Sequence, residues 1–213
     1  MMLRSQNRPF DEKERRYLKS QRAALERRRE ALLRRILWGY VIVFGLLAVL
    51  TALAEKKHVV MIFAGWAVGG ALISVWAYVP ERRKLSRRIK EYDDALASGI
   101  CAERQIKAKR MWEFEEQEDE GACYAFELES GGVAFVVGQD FYAGARFPNS
   151  DFSIVEFHSK KGELIDFMVE KRGVKVAAER VIFGREKERL DIPENYTFLD
   201  GTLEQVYASV RRA

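Results

Sequence analysis

The sequence predicts a helical membrane hairpin joined to a small α+β cytosolic domain with a mostly antiparallel sheet. Three observations lead to this fold class. Two apolar runs, 37–54 and 59–79, contain no charged side chain and are separated by only four residues. From about residue 104 the apolar residues recur at every second position, which is typical of half-buried strands. A final segment, 202–212, carries apolar residues at helical spacing.

The two apolar runs are each long enough to cross a bilayer. A helix rises 1.5 Å per residue, so about 20 apolar residues span the roughly 30 Å of the hydrocarbon core. The connector 55–58 leaves room only for a tight turn. We therefore expect 36–80 to form an antiparallel transmembrane hairpin. A transport role is disfavoured, because the connector has no room for a pore helix and the runs contain no Asp, Glu, His, Lys or Arg.

Residues 52–54 also resemble a signal-peptidase site. The n-region before it would be about 36 residues long, whereas whole signal peptides usually have about 15–30 residues. We therefore expect the first run to stay in the mature chain.

Positive charge flanks the outer ends of the two runs, whereas the connector offers only Lys56 and Lys57. Lys and Arg near span ends collect on the cytoplasmic side. We therefore expect an integral membrane protein with both termini cytoplasmic. Nucleic acid explains the charge less well, since no nucleic-acid-binding motif accompanies it. The arginines expected to contact anionic lipid headgroups are Arg34, Arg35, Arg82, Arg83, Arg87 and Arg88.

The segments flanking the hairpin, 1–35 and 81–99, have helical character. Residues 1–10 are expected to be disordered, and a helix should begin near Asp11, with Glu14 completing a capping box. Gly99 suits a helix C-cap. The two flanking helices either pair as a short antiparallel coiled coil or lie separately on the headgroups. Their apolar positions are Leu18, Leu25 and Leu32 in the first, and Leu85, Ile89, Tyr92 and Leu96 in the second.

The region 100–213 contains six or seven short strands and a last helix, 202–212. Turns are expected at 130–132 and 159–162, and strands at 133–137, 152–158, 163–170, 174–183 and 196–199. Two strands are expected to present one apolar face each. The first face consists of Ile106, Ala108, Trp112 and Phe114, and the second of Ala122, Tyr124, Phe126 and Leu128. The last helix should bury Leu203, Val206, Tyr207 and Val210.

Two local sequences of the region 100–213 bear on its fold. One is Met111, Trp112, Glu113 and Phe114 in the first strand, and the other is the segment 147–152 before a later strand. Together with the order of a sheet followed by one helix, they resemble the pleckstrin-homology (PH) superfold. The layout of 36–213 is similar to the YcxB-like family of bacterial membrane proteins, which join a two-helix hairpin to a PH-like cytosolic domain. The resemblance implies a PH-like fold and a location in a bacterial inner (plasma) membrane, and it transfers no functional residue.

No catalytic residue, cofactor site or metal ligand is predicted. The chain has no phosphate loop, no Gly-x-Ser-x-Gly elbow and no His-Glu-x-x-His. His58 and His158 fall on opposite sides of the expected membrane. Cys101 and Cys123 are expected to be reduced thiols. The acidic run 113–120 could be imagined as a metal site, but it suits a solvated turn better, which could also receive a basic partner.

The segment 139–151 is the longest expected loop, which makes it the candidate surface for a partner or ligand. The alternative is that its aromatic residues plug one end of the sheet domain. The candidate residues are Asp140, Phe141, Tyr142, Arg146, Phe147, Asn149 and Asp151.

Small residues repeat at four-residue spacing in the second run. Gly65 and Gly69 form a Gly-x-x-x-Gly pair, and Ala67 and Ala71 repeat the spacing. Such residues let helices approach closely. We expect them to pack within the hairpin, with docking to another protein or self-association as the alternative.

The expected function is that of a membrane-anchored binding, scaffold or regulatory module without catalysis. One alternative is an accessory subunit of a larger membrane complex, docked through its hairpin. Another is a lipid-sensing PH-like domain.

Overall fold

The computed structural model describes residues 4–54, 59–117 and 119–211. It contains two compact units. The helical unit consists of Phe10–Gly99 and the turn segment Ser159–Ile165. The β unit takes the N-terminal residues up to Pro9, Ile100–His158 and the chain from Asp166 onward. The expected connector 55–58 lies outside the described residues.

Two long helices form the helical unit: α1, Glu12–Ala54, and α2, Val59–Ser98. The predicted capping box precedes α1, because the Asp11 amide donates to Glu14 Oε2 at 2.8 Å and the Glu14 amide donates to Asp11 Oδ1 at 2.7 Å. Helix α2 continues through Pro80 and ends at Ser98, and the next residue, Gly99, has a φ of +66°. The predicted boundary near residue 80 is therefore not a helix break.

The flanking parts of α1 and α2 pair with each other, so the two parts do not lie separately. Leu18 is fully buried, as are most positions of the predicted seam of α2. An ion pair between Arg22 and Asp93 joins the helices at the surface. Of the predicted seam residues of α2, Leu85, Ile89 and Tyr92 are buried and Leu96 is half-buried. Ala95, which the pattern did not include, is also buried.

Aromatic residues join the apolar parts of α1 and α2. Tyr40 and Phe44 lie one turn apart on α1, and the ring of Phe44 is 6.0 Å from that of Trp66. The Trp66 indole donates to Thr51 Oγ1 at 3.2 Å. A Cβ at Gly70 would overlap the ring of Tyr40, so only glycine allows this approach.

The outward faces of these two helices are apolar. Trp38, Ile42, Leu72 and Trp76 each expose more than 60% of their surface. Both helices are long and apolar enough to cross a membrane. Only 6% of each apolar window is buried, unlike the core helix of a soluble protein.

The β unit contains one eight-stranded, mostly antiparallel sheet in the order β6-β5-β2-β3-β4-β8, with β1 and β7 also paired to β2. Pairing with β7 is parallel. Two short helices, α3 and α4, follow the later strands. The strands are β1 Gln6–Pro9, β2 Ile100–Phe114, β3 Ala122–Leu128, β4 Val133–Gly138, β5 Asp151–His158, β6 Leu164–Lys171, β7 Arg180–Ile182 and β8 Phe198–Leu199, and the helices are α3 Gly184–Glu188 and α4 Leu203–Ser209.

A β-bulge between Ala108 and Arg110 divides β2 into two halves. The extra residue reverses the face to which later side chains point. Ile106 therefore lies in one core cluster and Trp112 in the other. The expectation that 106, 108, 112 and 114 share one face is wrong for this reason.

Strand β3 is buried on both faces and separates the two core clusters. Tyr124 and Phe126 lie in the first, as the sequence pattern predicts, and Cys123 and Ala125 lie in the second. Helix α4 covers the second cluster, with Leu203 and Val206 buried and Tyr207 and Val210 packed against it as predicted. Thr202 and Gln205 form its capping box.

Several boundaries differ from the expectation. Residues 6–9 form β1 where disorder was expected, because they pair with Ile100–Glu103. Only Arg180–Ile182 of the expected strand 174–183 is a strand. Helix α3 has no counterpart in the sequence interpretation, and α4 is shorter than 202–212.

Candidate functional site

The aromatic residues of the loop 139–151 belong to the core of the β unit. Phe141 and Phe147 are each 2% exposed. The ring of Phe147 lies 5.7 Å from that of Tyr124 and 5.2 Å from that of Phe152. These two residues therefore fit the alternative interpretation, in which the aromatic residues of the loop pack into the sheet domain.

Asn149 holds the end of this loop in place. It is fully buried, and its amide nitrogen donates to the carbonyls of Arg146 and Gly173, both at 3.1 Å. Its amide oxygen accepts from the backbone amides of Asp151 at 3.1 Å and Gly173 at 3.0 Å. All of these contacts are within the chain, so Asn149 positions the loop.

The remaining loop candidates lie at or near the surface. Tyr142 is half exposed, and its hydroxyl donates to Glu116 at 2.6 Å, which raises the pKa of the phenol. Arg146 is exposed and donates to the carbonyl of Lys171 at 3.1 Å. Asp140 is exposed, and Asp151 is half-buried and accepts from Gln105 at 3.5 Å. The exposed part of this loop is thus centred on Tyr142 and Arg146.

All six arginines expected at the headgroups are exposed on α1 and α2: Arg34, Arg35, Arg82, Arg83, Arg87 and Arg88. A groove of about 380 Å³ lies between the same parts of the helices. Its basic walls include Arg28, Lys84 and Arg88, and Leu25 and Leu85 are among its apolar residues. This combination is chemically suited to a lipid headgroup with the start of its acyl chain.

The predicted small residues of α2 are not the point of closest helix packing. No described atom beyond the local helix backbone lies within 4 Å of a Cβ placed at Gly65 or Gly69. The two helices approach closely at Gly70, which faces the ring of Tyr40. Ala67 and Ala71 are exposed, although the Ala67 carbonyl accepts from the Tyr40 hydroxyl at 3.3 Å.

Acidic residues of the run 113–120 bind donors of this chain. Glu116 accepts from Tyr142 and from the Gly121 amide, and Glu115 accepts from the Gly184 amide at 3.1 Å. Glu120 pairs at 2.6 Å with Lys187, whose side chain is only 4% exposed. Glu118 lies outside the described residues.

The ionisable groups with shifted pKa values fit structural roles. Arg110 binds Glu127 and Glu204, and its hydrogen bond lowers the pKa of Glu204 to about 2. Burial raises the pKa of the Cys123 thiol to about 12, so its thiolate is scarce at neutral pH. His158 is half-buried and lies 3.8 Å from Glu156.

A cluster of arginines that the sequence interpretation did not identify lines a cavity of about 450 Å³ in the β unit. We call it the arginine pocket. Among the described residues, four arginines against one glutamate give its lining a net charge of +3. The lining residues are Arg180, Arg185, Glu186, Arg189, Tyr207 and Arg211.

Arg180 forms the ordered side of the arginine pocket. Its guanidinium carbon lies 5.1 Å from the centre of the Trp112 ring and 4.9 Å from that of Tyr207. It also forms an ion pair with Glu186, which accepts from the Tyr207 hydroxyl at 2.6 Å. That hydrogen bond raises the pKa of Tyr207, so the phenol remains a donor.

The spacing of the arginines in the sequence indicates only part of this pocket. Arg180, Arg185 and Arg189 occur close together in the chain. Arg211 follows after 21 further residues and reaches them through a backbone bridge to Leu190. A charge run by itself would suggest only a solvated surface.

Comparison with known proteins gave no match, whether against family models, curated proteins or solved structures. The PH-like and YcxB-like resemblance is therefore still an expectation from the sequence layout.

Proposed function

We propose that this protein is a membrane-anchored binding or regulatory module, in which the hairpin of α1 and α2 holds the β unit at the cytoplasmic face of a bacterial inner membrane. The observation that carries the proposal is the exposed apolar surface of the two helices, which in each helix is flanked at one end by exposed arginines. An anchored domain gains a high effective concentration near membrane-bound partners. A PH-like fold for the β unit belongs to the same proposal.

The exposed apolar surface of α1 and α2 is better suited to contact with lipid than with water. Soluble monomers rarely expose contiguous apolar patches larger than a few hundred Å². Here the large exposed side chains occur throughout 37–53 and 60–79. The aromatic residues Trp38 and Trp76 lie at the arginine-bearing ends, which is typical of an interfacial belt.

A labelling experiment tests location and orientation together. Single cysteines at Ser5 and Lys57 are compared with the unmodified chain, whose Cys101 and Cys123 are buried and give the background. In intact bacterial cells an impermeant maleimide should label Lys57→Cys at once, and Ser5→Cys only after lysis. The protein should stay with membranes in alkaline carbonate. Release by carbonate would contradict anchoring, and the reverse labelling pattern would contradict the orientation.

The pairing of the ionisable groups within the chain favours a binding function over a catalytic one. Among the described residues, the carboxylates with lowered pKa values, Glu103, Glu127 and Glu204, are all paired with arginine. Such pairs stabilise a fold, whereas general acids and bases keep an open side toward substrate.

A second candidate function is that of an accessory subunit that docks through its hairpin. The observation that favours it is the open space beside Gly65 and Gly69, which the hairpin itself does not fill. A partner helix could approach closely there. Lipid sensing through the groove beside Arg88 belongs to the first proposal.

Co-purification tests the docking candidate. The tagged chain is purified in mild detergent, and stoichiometric partners are identified by native mass spectrometry. Gly65→Leu with Gly69→Leu should remove such a partner while membrane insertion is retained. Ala77→Leu, which enlarges a small residue at another exposed position of α2, should keep it. Full retention of every partner by the double variant would contradict docking at this face.

A further inference from the structure

We propose that the arginine pocket of the β unit binds a small ligand that presents two or more adjacent negative charges on phosphoryl oxygens. This site is separate from the hairpin and from the headgroup arginines, and it does not depend on membrane anchoring. It would make the β unit a sensor of a phosphorylated molecule.

The first argument is unpaired charge. Arginines that stabilise the β unit have carboxylate partners, such as Arg104 with Glu156 at 3.2 Å and Arg110 with Glu127 at 2.6 Å. In contrast, three arginines of the pocket are exposed and form no ion pair with any residue that the structure describes. They are Arg185, Arg189 and Arg211.

The second argument is preorganisation. The guanidinium of Arg180 is held by the rings of Trp112 and Tyr207 and by Glu186. An arginine that is already fixed loses less conformational entropy when a ligand binds. Because Glu186 already accepts from Arg180 and Tyr207, its charge is largely compensated within the chain.

The third argument is that backbone hydrogen bonds hold together the segments that carry the arginines. Arg180 begins β7, which pairs in parallel with the second half of β2. The chain after α3 is joined to the end of α4 by a hydrogen bond of 2.7 Å from the Asp191 amide to the Val210 carbonyl. The arginines therefore lie on three segments that the backbone holds together.

Charge and size together indicate the class of ligand. Guanidinium groups match phosphoryl oxygens with two parallel hydrogen bonds. A lining charge of +3 suits a multivalent anion. A cavity of about 450 Å³ is comparable with small-molecule sites, which measure about 300–1,000 Å³. A phosphorylated metabolite and the phosphate monoester headgroup of a lipid share this chemistry.

Binding of inorganic pyrophosphate to the full-length protein tests the site. The protein is placed in phosphatidylcholine nanodiscs, and binding is measured by isothermal titration calorimetry at low salt. We expect saturable binding that weakens with ionic strength. Arg185→Gln with Arg189→Gln should weaken it by about tenfold or more, since two charge-assisted contacts are removed.

Two further variants keep the result interpretable. Arg185→Lys with Arg189→Lys preserves the charge but loses the paired donors of the guanidinium, so it should bind more weakly than the unmodified protein and more tightly than the double glutamine variant. Lys109→Gln removes an exposed positive charge of the β unit outside the pocket and should leave binding unchanged. Absence of saturable binding, or equal affinity in the double glutamine variant with an unchanged melting temperature, would overturn the proposal.

Nanodisc composition separates the two sources of phosphate. If a lipid headgroup occupies the pocket, discs containing phosphatidic acid should compete with pyrophosphate more strongly than discs with the same surface charge from phosphatidylglycerol. Equal affinities in the two discs would assign the site to a soluble phosphorylated ligand. Either result supports the site, and neither affects the labelling test of anchoring.

Discussion

The contacts of Arg110 join several distant parts of the β unit. It lies at the bulge of β2 and donates to Glu127 of β3 at 2.6 Å. It also reaches Glu204 of α4 at 3.0 Å and Glu179 at 3.3 Å. Glu127 in turn accepts from the Leu203 amide at 3.1 Å, at the start of α4. Four segments therefore depend on one guanidinium.

This network predicts an acid-sensitive fold. Arg110 lowers the pKa of Glu204 from 4.5 to about 2 and also lowers that of Glu127. A lowered pKa stabilises the fold above the ordinary value and loses that contribution as the pH falls through the folded value. We expect the melting temperature of the full-length protein in neutral detergent to fall between about pH 5 and pH 2.

The variant Arg110→Gln identifies the source of this dependence. It should melt at a lower temperature at neutral pH and show a shallower decline with acid, because its two glutamates titrate near their ordinary values. Lys109→Gln, at the exposed neighbouring position, should keep the original slope. An identical slope in Arg110→Gln would show that other carboxylates control the acid response.

Asn149 and Phe147 show why single residues of a long loop are hard to interpret from sequence. Both polar and aromatic residues are frequent in binding loops, and both are also needed to anchor a loop. The sequence left the two readings open. In the structure both residues anchor the loop, because Phe147 is 2% exposed and Asn149 satisfies its hydrogen bonds within the chain.

At the scale of elements, the bulge in β2 has the largest effect on the fold. It places Ile106 and Trp112 in different core clusters, so one strand serves two packing layers. An alternating pattern predicts a face only while the period of two is unbroken. The composition near 108–110 gives no sign of an inserted residue, so the period alone leads to the wrong face.

Strand β1 gives an element-scale prediction. It pairs with Ile100–Glu103, and the Cys101 thiol donates to the Arg8 carbonyl at 3.5 Å. Deleting residues 2–9 removes a strand from β2 and the Arg8 partner of Glu103. We expect the melting temperature to fall and Cys101, now 1% exposed, to react faster with a maleimide.

Cys123 supplies the internal control for this deletion. It is also 1% exposed, but it lies on β3 in the second core cluster. Its reaction rate should rise much less than that of Cys101, as measured by mass spectrometry of labelled peptides. Equal rates in the shortened and full-length proteins at Cys101 would mean that β1 does not protect this end of β2.

At the scale of the whole molecule, the β unit is discontinuous in sequence. It begins with β1, before both long helices, and resumes at Ile100 after them. A fragment that starts at residue 100 would therefore lack one of its strands. Studies of the β unit by itself need residues 4–9 as well, for example through a linker to residue 100.

The arginine pocket is also a property of the whole chain. Its residues come from β7, α3 and the end of α4, and the backbone bridge between Leu190 and Arg211 brings the last of them close. Residues this far apart are related only by the fold, so a charge count cannot find them.

The sequence alone determined the parts of this protein that depend on local patterns. Long apolar runs fix two helices, because each satisfies its own backbone hydrogen bonds. The capping box at Asp11, the glycine turn at 130–132 and the face of α4 are equally local, and all three occur as predicted. Only the tertiary structure decided the bulge, the pairing of β1, the burial of Phe147 and the assembly of the arginine pocket. Each of these depends on contacts between distant segments, whose energy no local pattern contains.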